Sequence, residues 1–190
     1  MGVRQAMVNR LVMWLGIAAA GFAACGPATA QIVGEHLAMR AEPDFAPGIV
    51  QQRRGTFMSE SVPKGERLDM WSRMVTIQRF PWRPGLTPDQ MADSLGRGFE
   101  GACAGTTLTP VRSLDVDGHK AAYLRADCPL NPQTGKPETM FARILIGDEM
   151  VHLVQIAFRH RPTSAEAAWA ERTIAATRLC ARTSADVGCR

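Results

Sequence analysis

Five cysteines in 190 residues constrain this chain more than any other feature, because four of them follow a segment that reads as an export signal. Cys103, Cys128, Cys180 and Cys189 make an even set, and an oxidising compartment turns such a set into a disulfide framework. Four cysteines allow three pairings. Cys180 and Cys189 bracket a short step containing Thr183, Ser184 and Gly188, which can close as a small loop. Cys103 and Cys128 then pair across the middle of the domain. In the chain-entropy account, loops of this size contribute about 2.5–3.5 kcal/mol each. The rival readings are a zinc site or a catalytic thiol. No two cysteines have C-x2-C spacing, and His119 is the only histidine between Cys103 and Cys128.

The export signal is legible in three steps. Met1–Arg10 carries Arg4 and Arg10 and no acid, Leu11–Cys25 is apolar throughout, and Gly26-Pro27 breaks any helix before Ala28-Thr29-Ala30. A basic start, a short apolar run and a small-x-small end define a secretory signal peptide. The expected organisation is therefore a signal peptide over 1–30 and a single domain over 31–190, with Gln31 as the mature N-terminus. The apolar run falls short of the roughly 20 residues that a bilayer-spanning helix needs. Phe22-Ala23-Ala24-Cys25 also resembles a bacterial lipobox, which would put an acyl anchor on Cys25. Both readings export the protein. The expected location is the periplasm, with a lipid anchor at Cys25 as the alternative.

Charge narrows the partners. The formal net charge is +4, from 22 basic and 18 acidic residues. Arg4 and Arg10 belong to the leader, so 20 bases face 18 acids in the remainder. No basic excess is left to neutralise a row of phosphates, and no nucleic-acid partner is expected.

Hydrophobic pattern predicts an α+β domain. Glu35–Arg40 and Ile49–Ser59 read as extended, and Val75–Phe80 as a strand closing the alternating run Asp69–Arg79. Phe80–Gly85, with Pro81 and Pro84, reads as a loop. Thr87-Pro88-Asp89-Gln90 is a capping box with proline at the first helical position, followed by Met91, Leu95 and Phe99 as one apolar stripe. Leu108–Leu114 and His119–Ala126 form a hairpin turned at Asp117-Gly118, with Asp115 opposite Lys120. Glu138–Ile146 and Glu149–Arg159 repeat the device around Gly147-Asp148, placing Phe141 opposite Val154, Leu145 opposite Met150 and Arg143 opposite His152. Both faces of this second hairpin are largely apolar, which predicts burial on two sides. Thr163–Glu166 is another capping box, and the Ala-rich run to Leu179 reads as a second helix. The expected product is an antiparallel sheet with two helices packed on it.

Motifs with a chemical look dissolve on inspection. Gly96-Arg97-Gly98-Phe99-Glu100-Gly101 spells G-x-G-x-x-G, but it falls at the end of a helix and not between a strand and a helix start. Thr134-Gly135-Lys136 has Leu130 and Pro137 where a phosphate loop needs glycine and a hydroxyl. His36, His119, His152 and His160 show no metal-binding spacing. His152, on an apolar strand, reads as a structural histidine, and His160 as a solvated strand end. No cofactor, metal site or catalytic set emerges. A hydrolase built on His152 or His119 in a cleft is the alternative, and an anchored inhibitor or immunity protein is another. One surface candidate remains. Arg79, Trp82 and Arg83 flank the Pro-stiffened loop and Arg159 lies at another strand end, so adjacent ends would form a cationic patch for an envelope protein or an anionic ligand.

Three segments, Trp71–Phe80, Cys128–Thr139 and Val154–Arg159, resemble a group of small exported bacterial proteins without assigned activity. The element order resembles the PsbP-like sandwich. That likeness implies a non-catalytic binding or accessory role in the bacterial envelope.

Overall fold

The structure is a computed structural model that describes residues 35–40, 42–180 and 189, all within a unit spanning Ile32–Arg190. The signal peptide expected over 1–30, and Cys25 with it, lies outside the described residues. No helix among the described residues is long and apolar enough to cross a membrane.

Ten strands and two helices follow in the order β1 (His36–Ala38), β2 (Phe45–Arg53), β3 (Thr56–Pro63), β4 (Arg73–Pro81), α1 (Pro88–Ala102), β5 (Thr107–Leu108), β6 (Arg112–Val116), β7 (His119–Asn131), β8 (Lys136–Ile146), β9 (Met150–Phe158), α2 (Ser164–Ala175) and β10 (Arg178–Cys180). The main sheet has eight strands, ordered β2-β3-β4-β9-β8-β7-β5 with β6 also on β7, and every pairing is antiparallel. β1 and β10 form a separate antiparallel pair. The antiparallel α+β class with two helices holds. The finer likeness to a PsbP-like sandwich is not established by it.

Local chemistry explains most of the elements. Both capping boxes form: Thr87 Oγ1 accepts from the Gln90 N–H, and Thr163 Oγ1 accepts from the Glu166 N–H. Asp117 and Gly118 both take positive φ (53° and 85°), the backbone of a tight hairpin turn, and Asp115 pairs with Lys120 as expected. The same turn recurs at Arg54-Gly55, with φ 44° and 83°. It splits the expected extended stretch Ile49–Ser59 into the β2–β3 hairpin. Arginine seldom adopts this conformation, so the sequence carries no plain turn signal there. The expected strand Leu108–Leu114 is also divided. Pro110 cannot donate to a ladder, and the chain passes from β5 to β6 across it.

Two sequence expectations are corrected at the centre. In the β8–β9 hairpin Phe141 faces Ile156, Arg143 faces Val154 and Leu145 faces His152, a slip of two residues from the expected register. The two-residue turn is Asp148-Glu149, closed by the Gly147 N–H donating to Met150 O at 2.9 Å. An even slip keeps every side chain on its own face. α2, expected to run to Leu179, stops at Ala175. Arg143 reaches up from β8 and donates to the carbonyl oxygens of Ile174 (2.6 Å), Ala175 (3.1 Å) and Thr177 (2.8 Å), ending the helix, and Leu179 enters β10.

Burial on two sides is realised. On one face α1 packs through Ala92 onto Ala122, Leu124, Met140, Ala142, Ile144 and Leu153. On the other, α2 packs through Ala170 and Ile174 onto Val75, Tyr123, Phe141, Val154, Ile156 and Phe158. Cys103–Cys128 and Cys180–Cys189 are both bonded, with Cα separations of 5.9 and 5.6 Å. The first joins the cap of α1 to β7. Within the second, residues 181–188 lie outside the described residues.

Glycine placement on α1 generates a test. A Cβ on Gly96 would lie 2.9 Å from Leu108 Cδ1 and 3.6 Å from Leu124 Cδ1, whereas one on Gly98 meets nothing within 4 Å. Gly96→Leu is expected to destabilise by about 1–3 kcal/mol through overpacking, and Gly98→Ala to stabilise by about 0.5–1 kcal/mol by removing glycine from a helix interior. Denaturant melts of the two variants, compared with the parent, check both signs.

Candidate functional site

Helix α1 leans over β7 and β8 and leaves a cleft beside it on the same sheet face. Between its flank and strands β8, β9 and β4 runs a groove of about 630 Å3. Met91, Leu95 and Phe99 form the helical wall, and Met140, Ile144, Leu153 and Ala157 form the floor. Gly98 lies along the wall, where the missing side chain keeps the space open. Phe80 and Leu86 close one end; Glu138 and Ala102 stand at the other. The polar lining residues are Gln78, Gln90, Ser94 and Gln155 beside Glu138, and none is a lysine, arginine or histidine. The expected apolar stripe of α1 therefore has two parts. Ala92 and Gly96 are buried against the sheet, while Met91, Leu95 and Phe99 are half-buried and line the groove.

This arrangement also accounts for G-x-G-x-x-G without a nucleotide. Gly96 permits the close approach of α1 to the sheet, Gly98 opens the groove, and Gly101 lies at the exposed helix end. The Thr134-Gly135 segment is the β7–β8 hairpin turn, with Gly135 at φ 65°.

The surface patch proposed from sequence is not assembled. Arg79 pairs with His152 at one end of the β4–β9 ladder, whereas Arg159 follows Phe158, the partner of Arg73, at the other. Seven ladder positions separate them, about 23 Å along the strands. Each residue also has its own local partner. Arg79 donates from Nη1 to Glu35 O at 3.1 Å and lies over the Phe57 ring. Arg159 donates to Asp69 O at 2.9 Å and stacks on Trp71, 4.1 Å from the ring centroid. Trp82 is half-buried against the α1-side cluster, and its indole N–H donates to Leu86 O at 3.2 Å. Arg83 is exposed. Arginines near strand ends in the sequence gave no measure of how far apart those ends lie.

His152 occupies a built site that sequence reasoning identified only in part. Its ring is 1% exposed, and the Nε2–H donates to the Glu35 carboxylate at 2.8 Å. The other carboxylate oxygen of Glu35 accepts from the Asp148 N–H at 2.7 Å. Gly147 makes this possible, since any Cβ there would overlap the Glu35 carboxylate. Burial pushes the His152 pKa down; the hydrogen bond and charge of Glu35 oppose that, and Arg79 and His36 add to it. The ring therefore pins the N-terminal segment to the β8–β9 turn. It does not line the groove. His160, expected to be solvated, bonds to Glu166 Oε1 at 3.1 Å and meets Phe158 edge to face.

No family model matches the chain, and no curated protein matches it. Among solved structures it is similar to a protein of Bacteroides thetaiotaomicron VPI-5482, with 14% identity and a TM-score of 0.44 over 81% of this chain and 50% of that one. It thus spans half the length of that protein. It is also similar to LpqN of Mycobacterium tuberculosis, described as involved in cell envelope biogenesis, with 8% identity and a TM-score of 0.42 over 80% of this chain and 87% of that one.

Two measurements follow from these contacts. A histidine whose native pKa is lowered binds its proton less tightly folded than unfolded. Stability is then expected to fall as pH drops below the ordinary histidine value of about 6.5. His152→Gln should cost about 1–3 kcal/mol at neutral pH and flatten that slope, as read from denaturant melts between pH 5 and 8. Trp82→Ala should cost about 2 kcal/mol, roughly half the loss for a fully buried ring, and a thermal melt checks it.

Proposed function

We propose that this is an exported accessory protein of the bacterial envelope that acts by binding, not by catalysis, and that the α1 groove is its binding site. The observation that carries the reading is the groove itself. A cleft of about 630 Å3 has the size and apolar character of ligand sites, with a few polar groups to fix orientation. The two disulfides support the oxidising compartment, because such bonds persist mainly outside the cytosol. Residue chemistry supports binding over hydrolysis. His152 is spent on Glu35 beneath the surface, on the face of the sheet opposite the groove.

Gly98 provides the test. A tryptophan there projects into open space beside Leu95 and Phe99, so it should fill the groove without disturbing the core. The parent protein is expected to bind an environment-sensitive apolar dye, Gly98→Ala to retain that binding, and Gly98→Trp to lose at least about tenfold in affinity with its melting temperature kept. Equal dye binding by Gly98→Trp and the parent would refute the groove as the site.

A further inference from the structure

Two amide side chains give the groove a selectivity that its apolar walls lack. Gln78 and Gln155 sit on the floor, and neither side chain makes a hydrogen bond among the described residues. Register places them as diagonal neighbours on one face, because Gln78 lies opposite Leu153 and Gln155 opposite Thr76. Each offers a donor and an acceptor toward the groove's occupant. A hydrocarbon tail laid over them would leave both unpaired, and a fatty acid or phospholipid headgroup would find no cation in the lining. A helical ligand has already satisfied its own backbone. An extended peptide has not: every residue carries a free N–H and C=O.

Resting on the reading of the groove as the binding site, we propose that its occupant is an extended, mainly apolar peptide segment of a partner protein. Gln78 and Gln155 read its backbone amides, while Met91, Leu95 and Phe99 cover its side chains. Glu138 stands at one end, held by Asn131 Nδ2 at 2.7 Å, and favours a basic residue or an amino terminus there. The helix that forms the wall, Pro88–Ala102, is about 22 Å long at 1.5 Å per residue, room for about six or seven extended residues.

The experiment titrates a panel of fluorescein-labelled apolar heptapeptides, each with one terminal lysine, and a labelled medium-chain fatty acid against the full chain. Gln78→Leu/Gln155→Leu, Glu138→Gln and the groove-blocking Gly98→Trp are tested beside it, with thermal melts establishing that each is folded. Peptides are expected to bind the parent, to lose about tenfold or more on the double leucine variant, and to lose about threefold on Glu138→Gln only when the lysine is present. Fatty-acid binding without peptide binding, or unchanged or tighter peptide binding by the leucine variant, overturns the peptide while Gly98→Trp still marks the groove as the site. Failure of both probes on the parent overturns the groove reading itself.

Discussion

Strands β8 and β9 are buried on both faces, with α2 over both on one side and α1 over β8 on the other, and this double burial governs the rest of the molecule. A strand covered on both faces cannot carry a polar side chain toward either helix unless that side chain meets a partner. Three do so on the α2 side: Arg143, His152 and Thr139, whose hydroxyl donates to Asp127, and the first two organise chain around them. Arg143 is 3% exposed, burial lowers its pKa, and its two Nη groups donate to three carbonyl oxygens at the end of α2. It thereby fixes where the helix stops and where β10 begins. His152 is satisfied by Glu35, and so fixes where the N-terminal segment lies. On the α1 side no cation is buried among the described residues, and the groove floor carries neutral amides instead.

Much of this was legible in sequence wherever the signal was local. Thr87-Pro88 and Thr163–Glu166 state their helix starts in four residues each, and Asp117-Gly118 states its turn in two. Cysteine parity and spacing led to the observed pairs. The misses share a cause, which is that a residue's use was set by a distant neighbour. Gly147 looked like a turn glycine, yet it is needed because Glu35, over a hundred residues earlier, lays its carboxylate there. The turn accordingly moved one residue on, and the register moved two. Leu179 looked helical because the ion that ends α2 sits on β8. Arg79 and Arg159 looked like one patch because sequence does not state which ends of an antiparallel pair are adjacent.

The groove was half legible. Met91, Leu95 and Phe99 marked a buried stripe, which periodicity reads as core contact. Periodicity cannot say how much of the sheet one helix covers. A fifteen-residue helix spans about 22 Å in length but only about 10 Å in breadth. The sheet is seven strands wide, since β5 and β6 share one edge of β7, or about 29 Å at 4.8 Å between strands. A single helix covers only part of such a face; Trp71 and Leu68 cover Met74 farther along it, and the groove falls between. Gln78 and Gln155, on the one face of β4 and β9 that carries no charged residue, were the available signal.

What holds α1 in place also decides what the groove can do. At its C-terminal end Cys103 is tied to Cys128 on β7. At its N-terminal end Pro88 is buried, and the preceding loop is fastened by the Trp82 indole to Leu86 O and by the Trp82 N–H to Glu149 O at 3.0 Å. Between them Gly96 lets the helix sit against Leu108 and Leu124. A wall fixed at both ends and in the middle cannot close over a ligand or retreat from one. The width of the groove is then a property of the folded domain, and an occupant meets it already formed. Association costs less when the site needs no ordering, so affinity there rests on fit to the floor and to its two amides.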